Sequence, residues 1–503
     1  MPDVISTNLR LARLDKQQFK QLSEGGFNRI PVYRSVLADL DTPLSVYLKL
    51  ADGQDSYLFE SIEGGETWGR YSFIGLPCKR RYTVSGHTFS CQDFGEEVSS
   101  EEVDDPLARI DEIKAEFKAP QLSELPVFTG GLVGYFGYET VELIESSVAS
   151  FEKPDELGTP DIVLLLSEEV AVFDNLEGRL HLVINVDPAL PDAWAQAQRR
   201  LDNLEHRLRS GSTGYGLAVE GEPVSDSDFH YGFDRDSFID AVNKSKEYIL
   251  AGDIFQVVLS QRMSVPFRAR PIDVYRALRA LNPSPYMYFI DLGDTRIVGS
   301  SPEVLVRVQN RRVTVRPIAG TIHRGASPEE DQALAEELLS DPKECAEHLM
   351  LIDLGRNDVG RVAKTGSVEM TDRMVIERYS HVMHIVSQVE GDLDDGLSAM
   401  DAIRASFPAG TLSGAPKIRA MEIINELEPV KRNIYAGAVG YISWHDDTDL
   451  AIAIRTAVIR DGKLHVQAGA GIVADSDAEK EWEETRNKGR ALITAVDRAS
   501  RGL

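Results

Sequence analysis

The sequence is poor in cysteine: 503 residues hold three, Cys78, Cys91 and Cys345, an odd number with no CxxC spacing. That argues against a disulfide framework and against a cysteine-built zinc site, and it fits a reducing, cytoplasmic compartment. Positive charge is also scarce, since 54 Lys and Arg face 81 Asp and Glu for a formal net charge of −27. Such a balance disfavours nucleic acid and anionic membranes as partners. No stretch of about 18 apolar residues occurs, and the opening MPDVISTNLRLARLDKQQF has no apolar core behind its basic residues. Neither a membrane span nor an export signal is therefore expected. There is no internal repeat, and the acidic run EEVSSEEVDD at 96–105 reads as a solvated loop.

What is present points to a large enzyme handling small molecules, in two to four units by length. The segment LPVFTGGLVGYFGYETVELI at 125–144 reads as a strand, a glycine-rich turn and a helix. An amphipathic helix follows at 189–211, its stripe formed by Trp194, Ala197, Leu201, Leu204 and Leu208 and its stop by Gly211. The Gly- and Ser-rich stretch after it places a boundary near residue 225, dividing the chain into 1–225 and 226–503. The second part opens with a helix from Asp236 to Leu250 ending at Gly252, then the strand IFQVVLSQRMSVPF. RIVGSSPEVLVRV, RVTVRPIAG, YAGAVGYISW, LAIAIRTAVI and KLHVQAGAGIV follow as further strands across short turns. Strand after strand with short links predicts largely antiparallel sheets, with long helices at 341–354 and 477–499.

Each of those two helices carries a glutamate pair three residues apart, Glu344 with Glu347 and Glu481 with Glu484. Positions three apart share a helix face, so like charges are held close together. Glu344 alone has a simpler reading, as the third residue of a capping box opened by Asp341 and Pro342. Glu481, Glu484 and Lys488 alone read as a salt-bridged surface face. The second helix, however, is fed directly by VQAGAGIVADSD. Gly469, Gly471 and Ala474 there mimic a dinucleotide fingerprint, but no second strand follows to complete a βαβ unit. The glycines read better as backbone brought close to a ligand. Arg455 lies inside apolar LAIAIRTAVI and needs an anionic partner, and His384 alternates with apolar residues in a strand. Oxygen ligands without clustered His or Cys favour a hard cation such as Mg²⁺, tying an anionic small molecule to acidic helices.

The blocks GSSPE (299–303), RPIAGT (316–321), DPKECAEHLMLIDLGRNDVGRV (341–362), PAGTLSGAPK (408–417) and GAGIVADS (469–476) strongly resemble component I of anthranilate synthase, within the chorismate-using enzymes. The resemblance runs over essentially the whole chain. It implies an α+β fold, largely antiparallel sheets packed as a sandwich with flanking helices, in two interleaved subdomains. It implies that Glu347 and Glu484 hold Mg²⁺, with Glu344 and Glu481 behind them. Gly320, Thr321, Tyr435, Arg455, Gly469, Ala470, Gly471 and Lys488 would bind chorismate, and His384, Glu303, Thr411 and Gln256 would make up the catalytic group. His384 would assist loss of the ring hydroxyl. The implied reaction adds ammonia to the ring with loss of that hydroxyl, then eliminates pyruvate to leave anthranilate, at the head of tryptophan biosynthesis.

Two positions separate branches of the family. Relatives that make aminodeoxychorismate resemble a pattern with lysine where this chain has Ala319, and isochorismate-forming relatives use a lysine base where it has Gln256. With neither lysine, free ammonia is the expected nucleophile. None of the cysteines sits in a Gly-x-Cys-x-Gly elbow, so a separate glutamine amidotransferase subunit, component II, is implied, in a heterotetramer of two of each. LFES (58–61), with Phe59 in place of a leucine, and NPSPYMYF (282–289) resemble the segments of a feedback site for L-tryptophan, with Ser61, Pro285, Tyr286 and Met287 as contacts. Aminodeoxychorismate synthase and a non-catalytic homologue are the competing expectations.

Overall fold

The computed structural model describes residues 13–62, 69–148, 153–211, 213, 223–379 and 382–503. The start of the N-terminal segment and most of the expected boundary stretch lie outside them. Two 12-stranded sheets dominate, every strand pair antiparallel. The first sheet takes Ile30–Leu37, Ser56–Glu60, Tyr71–Gly75, Glu169–Asp174 and Arg179–Val186 from the early chain and joins Ser56–Glu60 to Tyr286–Asp291. The second joins early Gly131–Phe136 to late Ala438–Ser443 in the same manner. Each sheet is therefore assembled from both sides of residue 225.

The sheets stack face to face over a core that includes Tyr57, Val172, Tyr288 and Ile297 of the first with Val133, Leu165, Val439 and Ala451 of the second. Helices cover the outer faces. Ala193–Ser210, Pro271–Leu281 and Ala478–Arg501 share one outer core with the first sheet, and Pro106–Ala115, Pro342–Gly360 and Lys417–Leu427 share the other with the second. Strands buried on both faces have no reason to alternate, which is why Ile162–Ser167 is buried along its whole length and reads as a continuous apolar run. The Ala193–Ser210 helix has the expected stripe, with Ala197, Leu201, Leu204 and Leu208 buried.

Several expectations are corrected. In 125–144 the glycines are not a turn: Gly131–Phe136 is itself the strand, and a Cβ on Gly134 would stand 1.9 Å from the Val163 carbonyl oxygen, so the neighbouring strand requires glycine there. The expected helix after it is a short 3₁₀ turn, Tyr138–Leu143. The run at 96–105 is not a loop but the edge strand Glu96–Glu102, exposed throughout, and its carboxylates discourage pairing with another chain. The helix expected to end at 354 runs on to Gly360, because Gly355 lies against Val315 and Pro317 instead of ending it.

Two apparent single strands are each two. RIVGSSPEVLVRV splits into Thr295–Ser301 in the first sheet and Val304–Gln309 in the second. LAIAIRTAVI splits into Thr448–Ile452 in the second and Thr456–Arg460 in the first. The chain changes sheet at Pro302–Glu303 and again at 453–455. The two crossings are bonded together, Ser300 N–H donating to the Arg455 carbonyl at 3.1 Å and Ile452 N–H to the Glu303 carbonyl at 3.0 Å.

Candidate active site

A cavity of about 590 Å³ opens beside these crossings, a volume within the range of small-molecule sites. Its wall holds Glu303 from one crossing and Arg455 from the other, Glu344 and Glu347 from Pro342–Gly360, Glu481, Glu484 and Lys488 from Ala478–Arg501, and Gly469 and Gly471 from Lys463–Ile472. Gln256, Gly320, Thr321, His384, Thr411 and Tyr435 complete the set. All but one of the residues expected to bind chorismate or metal, or to act in catalysis, thus meet in one cavity. The exception is Ala470, which strand alternation turns into the core, fully buried and off the cavity wall. The same alternation puts Gln467 on the wall with Gly469 and Gly471. Sequence reading missed Gln467, although its i, i+2 relation to the glycines was available.

The acidic end forms because both helices start at the cavity. Asp341 caps the first, its carboxylate accepting from Lys343 N–H at 2.8 Å and Glu344 N–H at 3.3 Å. The Glu344 carboxylate does not close a capping box. It turns to the cavity, where a Cβ on Gly320 would stand 3.3 Å from its Oε2. Burial, then the negative charge of Glu347, raises its pKa, with Glu484 adding to the effect. Glu481 is raised likewise by burial and by Glu484. Lys488 places its ammonium 2.8 Å from Glu484 and 2.9 Å from the Gly469 carbonyl oxygen, and Gln256 Nε2 donates to Glu347 at 3.1 Å. Among the described residues no group of three or more His, Cys, Asp or Glu side chains is gathered tightly enough to cage an ion.

The same wall carries Arg455. Arg455 takes a left-handed backbone, φ +49°, a conformation that non-glycine residues rarely adopt and that tends to mark functional sites. Burial lowers its pKa. Among the described residues its guanidinium has no hydrogen bond or ion pair, so a half-buried cation lines the cavity with only Tyr379 and Glu303 acting on it through their charges. Gly320 is also left-handed, φ +65°.

The proton-handling groups line the same cavity. Glu303 is buried and its pKa is pushed up to about 8 by desolvation, with Thr411 Oγ1 donating to its carboxylate at 3.1 Å in opposition. It holds a proton at neutral pH. His384 is driven the other way, down to about 4, by burial. Its Nδ1 lies 3.1 Å from the Gly320 carbonyl oxygen and 3.0 Å from Thr321 Oγ1. A carbonyl only accepts, so the ring proton sits on Nδ1 and Nε2 keeps its lone pair.

A second cavity, about 80 Å³, lies between the sheets and is lined by Ser61, Pro285, Tyr286 and Met287 together with Phe59, Tyr71, Phe73 and Tyr441. Its charges are paired: Arg307 reaches Asp449 at 2.6 Å, and Tyr286 donates to Asp449 at 2.9 Å. Among the described residues the Ser61 hydroxyl is buried without a partner.

The family model of chorismate binding enzymes matches residues 68–494. Anthranilate synthase component 1 of Pseudomonas putida is 58% identical over 96% of this chain and 98% of its own length. That of Aquifex aeolicus is 49% identical over 96% and 98%. Component I of anthranilate synthase from Streptococcus pneumoniae superposes with a TM-score of 0.76 at 39% identity, covering 91% of this chain and 99% of that one. The menaquinone-specific isochorismate synthase of Escherichia coli, 18% identical, has the same fold, with a TM-score of 0.69 over 95% and 98%. With cavity, fold and sequence in agreement, the chain belongs to the chorismate-binding enzymes, in the group of anthranilate synthase component 1.

Proposed function

We propose that the chain converts chorismate and ammonia to anthranilate and pyruvate as the large subunit of anthranilate synthase. One observation carries the reading: the Arg455 guanidinium, without a hydrogen bond or ion pair among the described residues, lines the same cavity as the clustered carboxylates and a buried carboxyl, Glu303, whose pKa burial pushes up to about 8. An anionic ligand bridged to the acidic helices satisfies both ends. At the two branch positions the cavity wall holds Ala319 and Gln256, and the Lys488 ammonium is engaged with Glu484 and Gly469. The nucleophile then comes from outside the chain.

The donor set suits Mg²⁺, which takes one or two carboxylates and fills its remaining positions with water and substrate oxygens. Mutual repulsion among Glu344, Glu347, Glu481 and Glu484 is what such an ion would relieve. We assign Glu347 and Glu484 as its ligands, with Glu344 and Glu481 behind them; when bound it anchors and neutralises the substrate's ring carboxylate. Arg455, with Lys488 and the backbone at Gly469 and Gly471, orients the remaining anionic part. In the first step a carbon–nitrogen bond forms and the ring carbon–hydroxyl bond breaks, with the hydroxyl leaving as water. Its proton comes from Glu303, held by Thr411. His384, neutral with a free Nε2, accepts a hydrogen bond from the departing hydroxyl. In the second step the enolpyruvyl carbon–oxygen bond and a ring carbon–hydrogen bond break, the ring regains aromaticity as the amine, and a proton replacing the one lost from the ring adds to the methylene carbon of the released enolate to give pyruvate.

The residues of the reaction cavity all fall in 226–503, and 1–225 contributes Phe59, Glu60, Ser61, Tyr71 and Phe73 to the second cavity. We assign that cavity to L-tryptophan as feedback inhibitor. Ammonia would be supplied from glutamine by a partner amidotransferase, component II, in a heterotetramer in the cytoplasm. No helix of the described residues is long and apolar enough to cross a membrane, and the acidic balance leaves nucleic acid out of the reading.

The test uses the purified chain alone with chorismate, Mg²⁺ and an ammonium salt, following anthranilate fluorescence. The signal should appear, and it should vanish with EDTA and in Glu347→Gln. Chorismate consumed without anthranilate would move the assignment to an aminodeoxychorismate or isochorismate synthase.

A further inference from the structure

The segment between the helices Ala399–Ser406 and Lys417–Leu427 delivers Thr411 to Glu303 and places Leu412 on the cavity wall. It also pairs Gly414 and Ala415 with Val257 and Gln256. Lys417, at its far end, does not line the cavity. Its ammonium donates to both Asp358 oxygens, at 3.0 and 2.9 Å, and to the Ser406 carbonyl at 3.3 Å. Ser406 and Lys417 are the two ends of the segment, and Asp358 is in the last turns of Pro342–Gly360, the helix whose start carries Glu344 and Glu347. A single ammonium therefore closes the segment at its base and fastens it to the helix of the acidic end.

The pair is 13% and 8% exposed. A carboxylate near a helix C-terminus opposes the helix dipole, and burying an ion pair costs desolvation that apolar side chains avoid. Its retention calls for a positional reason. A void of about 40 Å³, lined in part by Glu303, Thr411, Leu354, Gly410, Ser406 and Asp358, separates the pair from the reaction cavity.

We propose that Lys417 and Asp358 are a positioning pair that holds Thr411 against Glu303, and so sets the proton donor of the reaction. This rests on the function proposed above through the role of Glu303. Lys417→Met and Asp358→Asn should each lower kcat by about ten- to a hundredfold, with the KM for chorismate and inhibition by tryptophan within about twofold of the parent. Combined with Thr411→Val, Lys417→Met should cost little more than Thr411→Val alone, since both act through one contact. Lys417→Arg should restore most of the rate. Additive losses in the double variant, or a loss confined to KM, would overturn the pairing. If Lys417→Met fails to fold, the same cycle run with Asp358→Asn and Thr411→Val decides it. A parent chain that makes no anthranilate would refute the function instead, whereas additivity in an active parent refutes the positioning pair alone.

Discussion

The two cavities lie at the same pair of strands and are built on opposite principles. Val304–Gln309 leaves Glu303 in the reaction cavity and sends Arg307 into the smaller one, and Thr448–Ile452 carries Asp449 in the smaller one and leads to Arg455 in the larger. In the smaller cavity the charges cancel internally, Arg307 on Asp449, and the walls are aromatic. In the larger they do not cancel: among the described residues the Arg455 guanidinium makes no ion pair, the charges of Glu347 and Glu484 raise the pKa of Glu344, and that of Glu484 raises the pKa of Glu481. Uncompensated buried charge destabilises the empty protein and is relieved only by a ligand of opposite sign. On the function proposed above, the contrast is between a site that acts on an anion and one that holds an aromatic amino acid.

Removing the charge that most separates the two should have the largest effect. Arg455→Met should lower kcat/KM for chorismate on the order of 100-fold or more, the loss of a buried charge-assisted contact worth ~3 kcal/mol. Tryptophan affinity, read by calorimetry, should not move. A comparable loss at both sites would mean that the cavities are not separate. The reverse experiment is smaller: Ser61→Ala should raise the inhibitory tryptophan concentration about fivefold, as expected for one hydrogen bond, at unchanged uninhibited kcat. Because the Ser61 hydroxyl has no partner among the described residues, the variant's Tm should not fall. Unchanged sensitivity would remove Ser61 from the tryptophan site. The smallest effect is a shift in a pH profile. Glu303 must be protonated to act, so at constant free ammonia kcat/KM should decline as pH rises through about 8. The Thr411 hydrogen bond stabilises the carboxylate, and Thr411→Val should therefore move that limb upward by under about one unit. Movement downward would contradict the assigned donor.

The chemistry was more legible in the sequence than the scaffold. Glu344 with Glu347, and Glu481 with Glu484, are read directly from helical spacing, and Gly469 with Gly471 from the close approach of backbone to a ligand that glycine permits. The crossings at Glu303 and Arg455 were not recognised. Apolar residues run through Ala453 and Ile454 into the second, so nothing in the pattern marks it, whereas at the first the break that Gly299, Ser300, Ser301 and Pro302 make in the apolar run was passed over. The glycines of Gly131–Phe136 misled too, since what demands them is a neighbouring strand distant in sequence. The division of labour between Glu303 and His384 depends on burial by the assembled sandwich, which separates an ordinary carboxylate and imidazole to about 8 and about 4.

The interleaving of the sheets also constrains how the chain is made. Synthesis runs from the N-terminus, and Gly131–Phe136 has no neighbour on one side until Ala438–Ser443 has emerged. Ser56–Glu60 waits likewise for Tyr286–Asp291. Both sheets thus carry open, apolar edges on the ribosome through most of translation, a state prone to pairing with other nascent chains. Completion of the fold is a late event that depends on the last third of the sequence, and truncation there leaves both sheets unfinished.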